Sequence, residues 1–210
     1  MSGPPRTQLT PAKRAVMSIG LLLAGALFFA VQHPIPAAVS SEQSAQATMV
    51  GPGDGKECPP THLAIPDLAV NAAVVPVGVE RDGTLGTPSD ADKDKAGWYP
   101  SVLLGSDHGT LVLVAHTYHD NSAVLKTNFK QDARVGMSIQ LQCADGRSRS
   151  YTASEVKVDL TLQTYPTFVQ SRGLYASDGP PQLILVTCTD WNPARRDWDQ
   201  RAIVIASPTP

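Results

Sequence analysis

Three short apolar runs constrain what this chain can fold into: TLVLVA at Thr110–Ala115, LILVT at 183–187 and AIVIA at 202–206. Each is rich in β-branched residues and too short for a helix of ordinary length, so each reads as a strand covered on both faces. Residues 72–79 (AAVVPVGV) are also β-branched but broken by Pro76, which suggests an edge strand or a bulge. Residues 81–84 (RDGT) supply turn chemistry after it. Residues 137–143 alternate apolar and polar positions, 144–147 (ADGR) turn the chain, and 150–158 return it. Helical signals are few: 97–102 and 122–129 are each expected to make a turn or two. Eighteen prolines and 16 glycines punctuate these runs, and no internal repeat is visible. From about Thr61 onward the chain reads as an all-β domain, an antiparallel barrel or sandwich.

The N-terminal part is built differently. Residues 15–31 (AVMSIGLLLAGALFFAV) carry no charge, and as a helix they span about 25 Å, the low end for crossing a bilayer. Arg6, Lys13 and Arg14 precede the run and no acid does, so the positive-inside rule places residues 1–14 in the cytoplasm and everything after 31 outside. The rival reading is a cleavable signal peptide cut near Pro36-Ala37-Ala38. The run exceeds the usual signal core and lacks a clear A-x-A, which favours an uncleaved single-pass transmembrane anchor. Both readings export the domain. Residues 32–60 contain five prolines and the stretch Gly51-Pro52-Gly53-Asp54-Gly55; they bury too little to offset their ordering entropy and read as a flexible extracellular linker.

Composition removes several function classes. Seventeen Lys+Arg against 19 Asp+Glu leave no basic excess of the kind nucleic-acid binding needs. There is no Cys-x-x-Cys pair and no His-Glu-x-x-His, so neither a metal nor a cofactor is expected. Three cysteines are too few for a disulfide scaffold.

Three residues stand where chemistry is easiest to arrange, at the ends of buried strands. Cys188 follows LILVT and opens into the polar loop Thr189-Asp190-Trp191-Asn192-Pro193. A thiol there is reachable yet rigidly held, and its thiolate would be a nucleophile, although many free cysteines are only small buried hydrophobes. His116 ends TLVLVA in the same manner and can move protons near neutral pH; the alternative is a solvated loop histidine, and His119 is a weak rival. Arg201 opens AIVIA and can donate to an oxyanion, unless it only pairs with Asp197 or Asp199 at the surface. Arg195 and Arg196 are alternatives in the loop.

Taken together, these residues resemble the sortases, cysteine transpeptidases of Gram-positive cell surfaces. Ile184-Leu185-Val186-Thr187-Cys188 is similar to the family's Thr-Leu-x-Thr-Cys strand, and Arg201 follows thirteen positions on, at the start of the next strand. Leu113-Val114-Ala115-His116-Thr117-Tyr118 resembles the strand ending in Gly-His-Thr, with Ala115 in place of the usual glycine. Residues 72–78 and Gly97-Trp98-Tyr99 are similar to the short class F sortases of actinobacteria.

The resemblance covers about 61–207 and implies a sortase-like closed β-barrel with one or two short helices. It implies Cys188 as nucleophile, His116 as general acid/base and Arg201 as stabiliser of the oxyanion and substrate, with Thr187 beside them in contact with substrate. The partners it implies are surface proteins bearing an LPxTG-like sorting signal and an amine of a peptidoglycan precursor or crossbridge. A monomer is expected. Two other functions fit the same residues: a membrane-tethered binding module without turnover, and an exported cysteine peptidase that uses water as acceptor.

Export also bears on the other thiols. Outside the cell bridges persist, and a Cys58–Cys143 disulfide would pin the start of the domain to its body, leaving Cys188 free. The alternative is that Cys58 and Cys143 are both free.

Overall fold

The computed structural model of the protein describes residues 56–210. The expected cytoplasmic segment, the anchor at 15–31 and most of the linker lie outside the described residues. Among the described residues no helix is long and apolar enough to cross a membrane.

Eight strands form a closed barrel. In chain order they are β1 (Pro60–Ile65), β2 (Val70–Pro76), β3 (Ala96–Tyr99), β4 (Thr110–Ala115), β5 (Ser138–Cys143), β6 (Ser148–Thr161), β7 (Gln182–Asn192) and β8 (Asp197–Pro208). Around the barrel the order is β1-β2-β3-β4-β7-β8-β6-β5. Helix α1 (Phe129–Asp132) lies between β4 and β5, and α2 (Thr164–Arg172) between β6 and β7.

Two of the neighbouring pairs, β2 with β3 and β4 with β7, are parallel; the others are antiparallel. The sheet is therefore mixed, where the sequence had suggested an antiparallel one. A parallel neighbour needs a long crossover, and β5, β6 and α2 supply it between β4 and β7. The hairpin β7–β8 is inserted between β4 and β6, so it closes the barrel.

The apolar runs are continuous because both of their faces are covered. On the inner face Leu111, Leu113, Leu183, Leu185 and Val204 join the barrel core with Leu63, Ile139 and Leu141. On the outer face Val112, Ile184, Ile203 and Ile205 form a second cluster with Val169 of α2 and Leu174 just after it. Val112, Ile184 and Ile203 are each 0 % exposed although they point away from the barrel centre. Gly173 ends α2 in the left-handed region (φ 58°), and its N–H closes the last turn on the Gln170 and Val169 carbonyls.

Several local expectations shift. Residues 97–102, expected to make a helical turn, instead begin as strand β3, which is wedged between β2 and β4. Gly97 is what permits this fit, since a Cβ there would meet Val77 and Val114 at 2.7 and 2.8 Å. In 122–129 the helical turn starts only at the last residue, Phe129, which anchors α1 in the core at 2 % exposure. Pro76 is not on an edge, because a closed barrel has none; it ends β2 opposite Trp98, and the ladder continues with the Val77 N–H to the Trp98 carbonyl.

Residues 58–60, expected in the linker, belong to the folded body. Cys58 exchanges two backbone hydrogen bonds with Leu104, both 2.9 Å. It is disulfide-bonded to Cys143, with Cα atoms 6.1 Å apart.

Candidate active site

Pleat and strand order together assemble the site. In β7, Cys188 has the parity of Ile184 and Val186, so it faces outward. In β8, Arg201 has the parity of Ile203 and Ile205, and it is the direct cross-strand partner of Cys188. His116 follows β4 with the parity of Val112 and Val114. Strands β4 and β7 run parallel, so both exit at the same barrel end, where the antiparallel β8 begins. All three residues thus finish one outward-facing apolar stripe. They border a cleft of about 810 Å³ whose walls include Leu85, Leu162, Tyr165, Val169 and Tyr175.

The lateral register of β4 and β7 is locked beside the site. Thr187 faces inward at 1 % exposure, and its hydroxyl lies 2.7 Å from the Ala115 carbonyl and 2.8 Å from the Thr117 hydroxyl. Thr187 borders the cleft, but its side chain is committed to these bonds. Its hydroxyl ties the histidine strand to the cysteine strand. Ala115, where the family usually has glycine, is in β4 and is not among the residues with positive φ, so its methyl group strains nothing.

His116 is oriented from the β2–β3 connection. Its Nε2 lies 2.7 Å from the Pro88 carbonyl, which can only accept, so Nε2–H donates and Nδ1 is the ring nitrogen left to exchange a proton. Arg201 donates through Nη1 to the carbonyls of Gln200 and Trp198, at 3.1 and 3.4 Å. These bonds hold the guanidinium by one corner of its five-donor fork. Of the two surface partners weighed for Arg201, Asp199 pairs with Arg195 and accepts from Asn192, and Asp197 accepts the Trp198 backbone N–H. Arg196, also weighed, is an exposed loop residue with φ 53°.

Burial pushes the Cys188 thiol above its ordinary value; Arg201 pulls the other way, and Asp197 adds to the rise. The resting site therefore holds a neutral thiol, and ionisation requires a proton acceptor. Across the cleft the Tyr165 and Tyr175 hydroxyls bond each other, and burial raises both phenols, so they stay neutral donors. The sequence did not reveal these tyrosines, because nothing in their neighbourhood shows that α2 folds back over β7 and β8.

Among the described residues the remaining histidines are placed away from this chemistry or differently within it. His62 bonds Asn71, and His108 sits beside Asp107. His119 is exposed and stacks on Trp191. Among the described residues no cluster of His, Cys, Asp and Glu has the geometry to hold a metal.

The closed eight-strand barrel thus carries Cys188, His116 and Arg201 facing outward beside the exit of its parallel strand pair. The family model of the sortase domain matches residues 63–209, and the chain belongs to the sortase family. Among solved structures it is similar to sortase C-1 of Actinomyces oris, at 18 % identity and TM-score 0.51, covering 71 % of this chain and 73 % of that one. It is also similar to the Group B Streptococcus pilus island 1 sortase C2, at 20 % identity and TM-score 0.51, covering 71 % and 73 %. Sortase A of Corynebacterium diphtheriae matches at 16 % identity and TM-score 0.52, covering 74 % of this chain and 62 % of that one. At these identities the likeness is one of fold. No curated relative matches the chain.

Proposed function

We propose that the protein is a membrane-anchored extracellular cysteine transpeptidase, closest to class F, that cleaves an LPxTG-like sorting signal and joins the cut protein to a cell-wall amine. The observation that carries this reading is the placement of Cys188, His116 and Arg201 at one end of one outward stripe, on neighbouring strands and in one cleft. The roles follow from the chemistry of each group.

Cys188 Sγ attacks the carbonyl carbon of the signal's threonine, and its proton passes to His116. As the C–N bond breaks, His116 delivers a proton to the departing amine, which leaves a thioester. Arg201 donates to the oxygen on which negative charge develops, a contact stronger in the transition state than before it. The incoming amine then attacks the thioester, gives a proton to His116, and the thiol is regenerated. Residues 1–14, 15–31 and 32–57 would tether this centre to the outer membrane face, where both substrates arrive.

The test is mass spectrometry of the protein mixed with a peptide library of LPxTG-like motifs, with and without added amines. A thioacyl adduct on Cys188 that converts to an amide product when amine is present supports the reading. Hydrolysed product alone, unchanged by amine, would assign the site to a peptidase; no adduct at all would leave a binding module.

A further inference from the structure

His116 is the member of the trio whose backbone lies just outside the sheet. Cys188 and Arg201 are paired partners in the β7–β8 ladder. The His116 ring follows the last residue of β4, and its Nε2–H is aimed by the Pro88 carbonyl at 2.7 Å. Pro88 belongs to the connection between β2 and β3, outside every strand, and it has no N–H, so no ladder holds that carbonyl in place. The carbonyl is also neutral, so it fixes the ring by direction alone. Whatever holds Pro88 therefore sets where Nδ1 of His116 points.

Two attachments flank it. On one side the buried Pro88 ring packs over Gly97 of β3, where an added Cβ would stand 3.1 Å from the proline Cδ. On the other side comes a single 3₁₀ turn, Asp90–Asp92. Asp92 knits this turn together, accepting from the Ser89 hydroxyl at 2.9 Å and from the Lys95 ammonium at 2.7 Å. Its first residue, Asp90, accepts the Tyr118 hydroxyl. Tyr118 is two residues beyond His116, and the two rings lie 5.4 Å apart at 59°. Lys93 follows the turn; its ammonium is 5.2 Å from the centre of the Tyr118 ring, and its carbonyl accepts the Val124 N–H at 3.1 Å. The contacts close a circuit: His116 to Pro88, through the turn to Asp90, across to Tyr118, and back along the chain to His116.

We infer that Tyr118 is a positioning residue for acyl transfer: its hydroxyl, through Asp90, holds the Pro88 carbonyl where it keeps a proton on His116 Nε2 and leaves Nδ1 to exchange one. The inference rests on the transpeptidase reading and adds to it a residue that is not part of the cleft wall. The bond to Asp90 raises the Tyr118 phenol above its ordinary value, with burial and the charges of Asp90 and Asp120 adding to the rise, so the hydroxyl remains a donor. Simple loop closure does not account for the bond. Asp90 is exposed and Tyr118 half-buried, so the contact adds little to stability, and the connection is already tied by the Gly86 N–H to the Gly78 carbonyl at 2.9 Å. What the bond does fix is the turn that begins next to the ring-orienting carbonyl.

The experiment uses the full-length chain in detergent with isotope-labelled histidine. The His116 ring signals are identified by their loss in His116→Gln, and proton–nitrogen correlations read which ring nitrogen carries the proton. The wild type should show the Nε2–H form. Tyr118→Phe keeps the ring and removes only the hydroxyl; in it His116 should move toward a mixture of the two neutral forms. In the same variant kcat for acyl transfer should fall about tenfold, while KM for the sorting-signal peptide stays within about twofold and the urea midpoint does not move.

Asp90→Asn keeps an acceptor oxygen and should retain most of the rate. Asp90→Ala should reproduce Tyr118→Phe, and it carries the test if that variant does not fold. An unchanged His116 signal on loss of the hydroxyl, or a changed signal with kcat unaltered, overturns the role. If the wild type transfers no amine at all, the transpeptidase reading fails instead, while the ring signals still decide whether Tyr118 orients His116.

Discussion

Cys143 ends β5 and Cys188 lies within β7 of the same barrel, and the two meet opposite fates. Cys143 shares its pleat with Ile139 and Leu141, so it turns inward, where Cys58 is held beside Leu104 and closes a disulfide with it. Cys188 shares its pleat with Ile184 and Val186, turns outward, and meets a cleft with Arg201 opposite it. A slip of one residue in either strand would reverse the assignment, because the side-chain period of a strand is two. Pleat parity, rather than residue type, decides which cysteine becomes a covalent brace and which one remains reactive.

The contrast is broken most completely at the outward cysteine. Cys188→Ala is expected to abolish acyl transfer to sorting-signal peptides while changing unfolding free energy by no more than about 1 kcal/mol. Product formation and a urea midpoint measured on the same preparation check both halves. The inward pair should behave in the opposite sense. Replacing Cys58 and Cys143 together by alanine should lower the unfolding free energy from urea denaturation by about 4 kcal/mol, since the bridge closes a loop across a sequence separation of 85. The folded fraction should keep its acyl-transfer activity. In the oxidised, denatured wild type one thiol should titrate; three would refute the bridge.

A smaller effect tests the partner of the reactive thiol. Arg201→Lys keeps the charge but loses the planar fork, and kcat/KM should fall about 100-fold. A near-normal value would reduce Arg201 to a surface charge. The smallest effect concerns pH. Because burial holds the Cys188 thiol neutral above its ordinary value of 9.0, alkylation by a small uncharged reagent should still be accelerating at pH 9. Arg201 opposes that rise, so Arg201→Ala should move the labelling profile further toward alkaline pH. A profile that levels off below neutrality, or one unaffected by Arg201→Ala, would contradict the placement of the two groups.

The reactive residues were legible in the sequence because the apolar runs are, although β7 continues to Asn192 and β8 starts at Asp197, so Cys188 and Arg201 lie within strands rather than at the strand ends expected of them. Thr110–Ala115, 183–187 and 202–206 are all strand, and His116, Cys188 and Arg201 flank these runs where the chain changes from apolar to polar. Strand order was not legible. Nothing local in β4 says that its neighbour is β7, and the bond that records this, from Thr117 to Thr187, joins residues 70 apart. Helix α2 was missed because TYPTFVQSR has a proline in its first turn and only one buried residue, Val169, so no apolar stripe marks it. It is held by the outward faces of β7 and β8 rather than by its own propensity. Residues 97–102 misled for a related reason: Gly97 looks like a turn residue, and only the closeness of Val77 and Val114 shows it to be a spacer between strands.

The place of the β7–β8 hairpin in the barrel has a consequence for the order of assembly. Strands β4-β3-β2-β1-β5-β6 are consecutive neighbours, and all of them lie before residue 162, so they can form an open six-stranded sheet with its disulfide in place. The hairpin that follows them in the chain spans both edges of that sheet, β7 on β4 and β8 on β6. That hairpin carries Cys188 and Arg201, while His116 waits at the end of β4. Such pairings between distant segments come late, because loop closure must precede the contacts that reward it. The assembled trio of Cys188, His116 and Arg201 therefore exists only in the closed barrel, so closing the barrel and building the site are one and the same event.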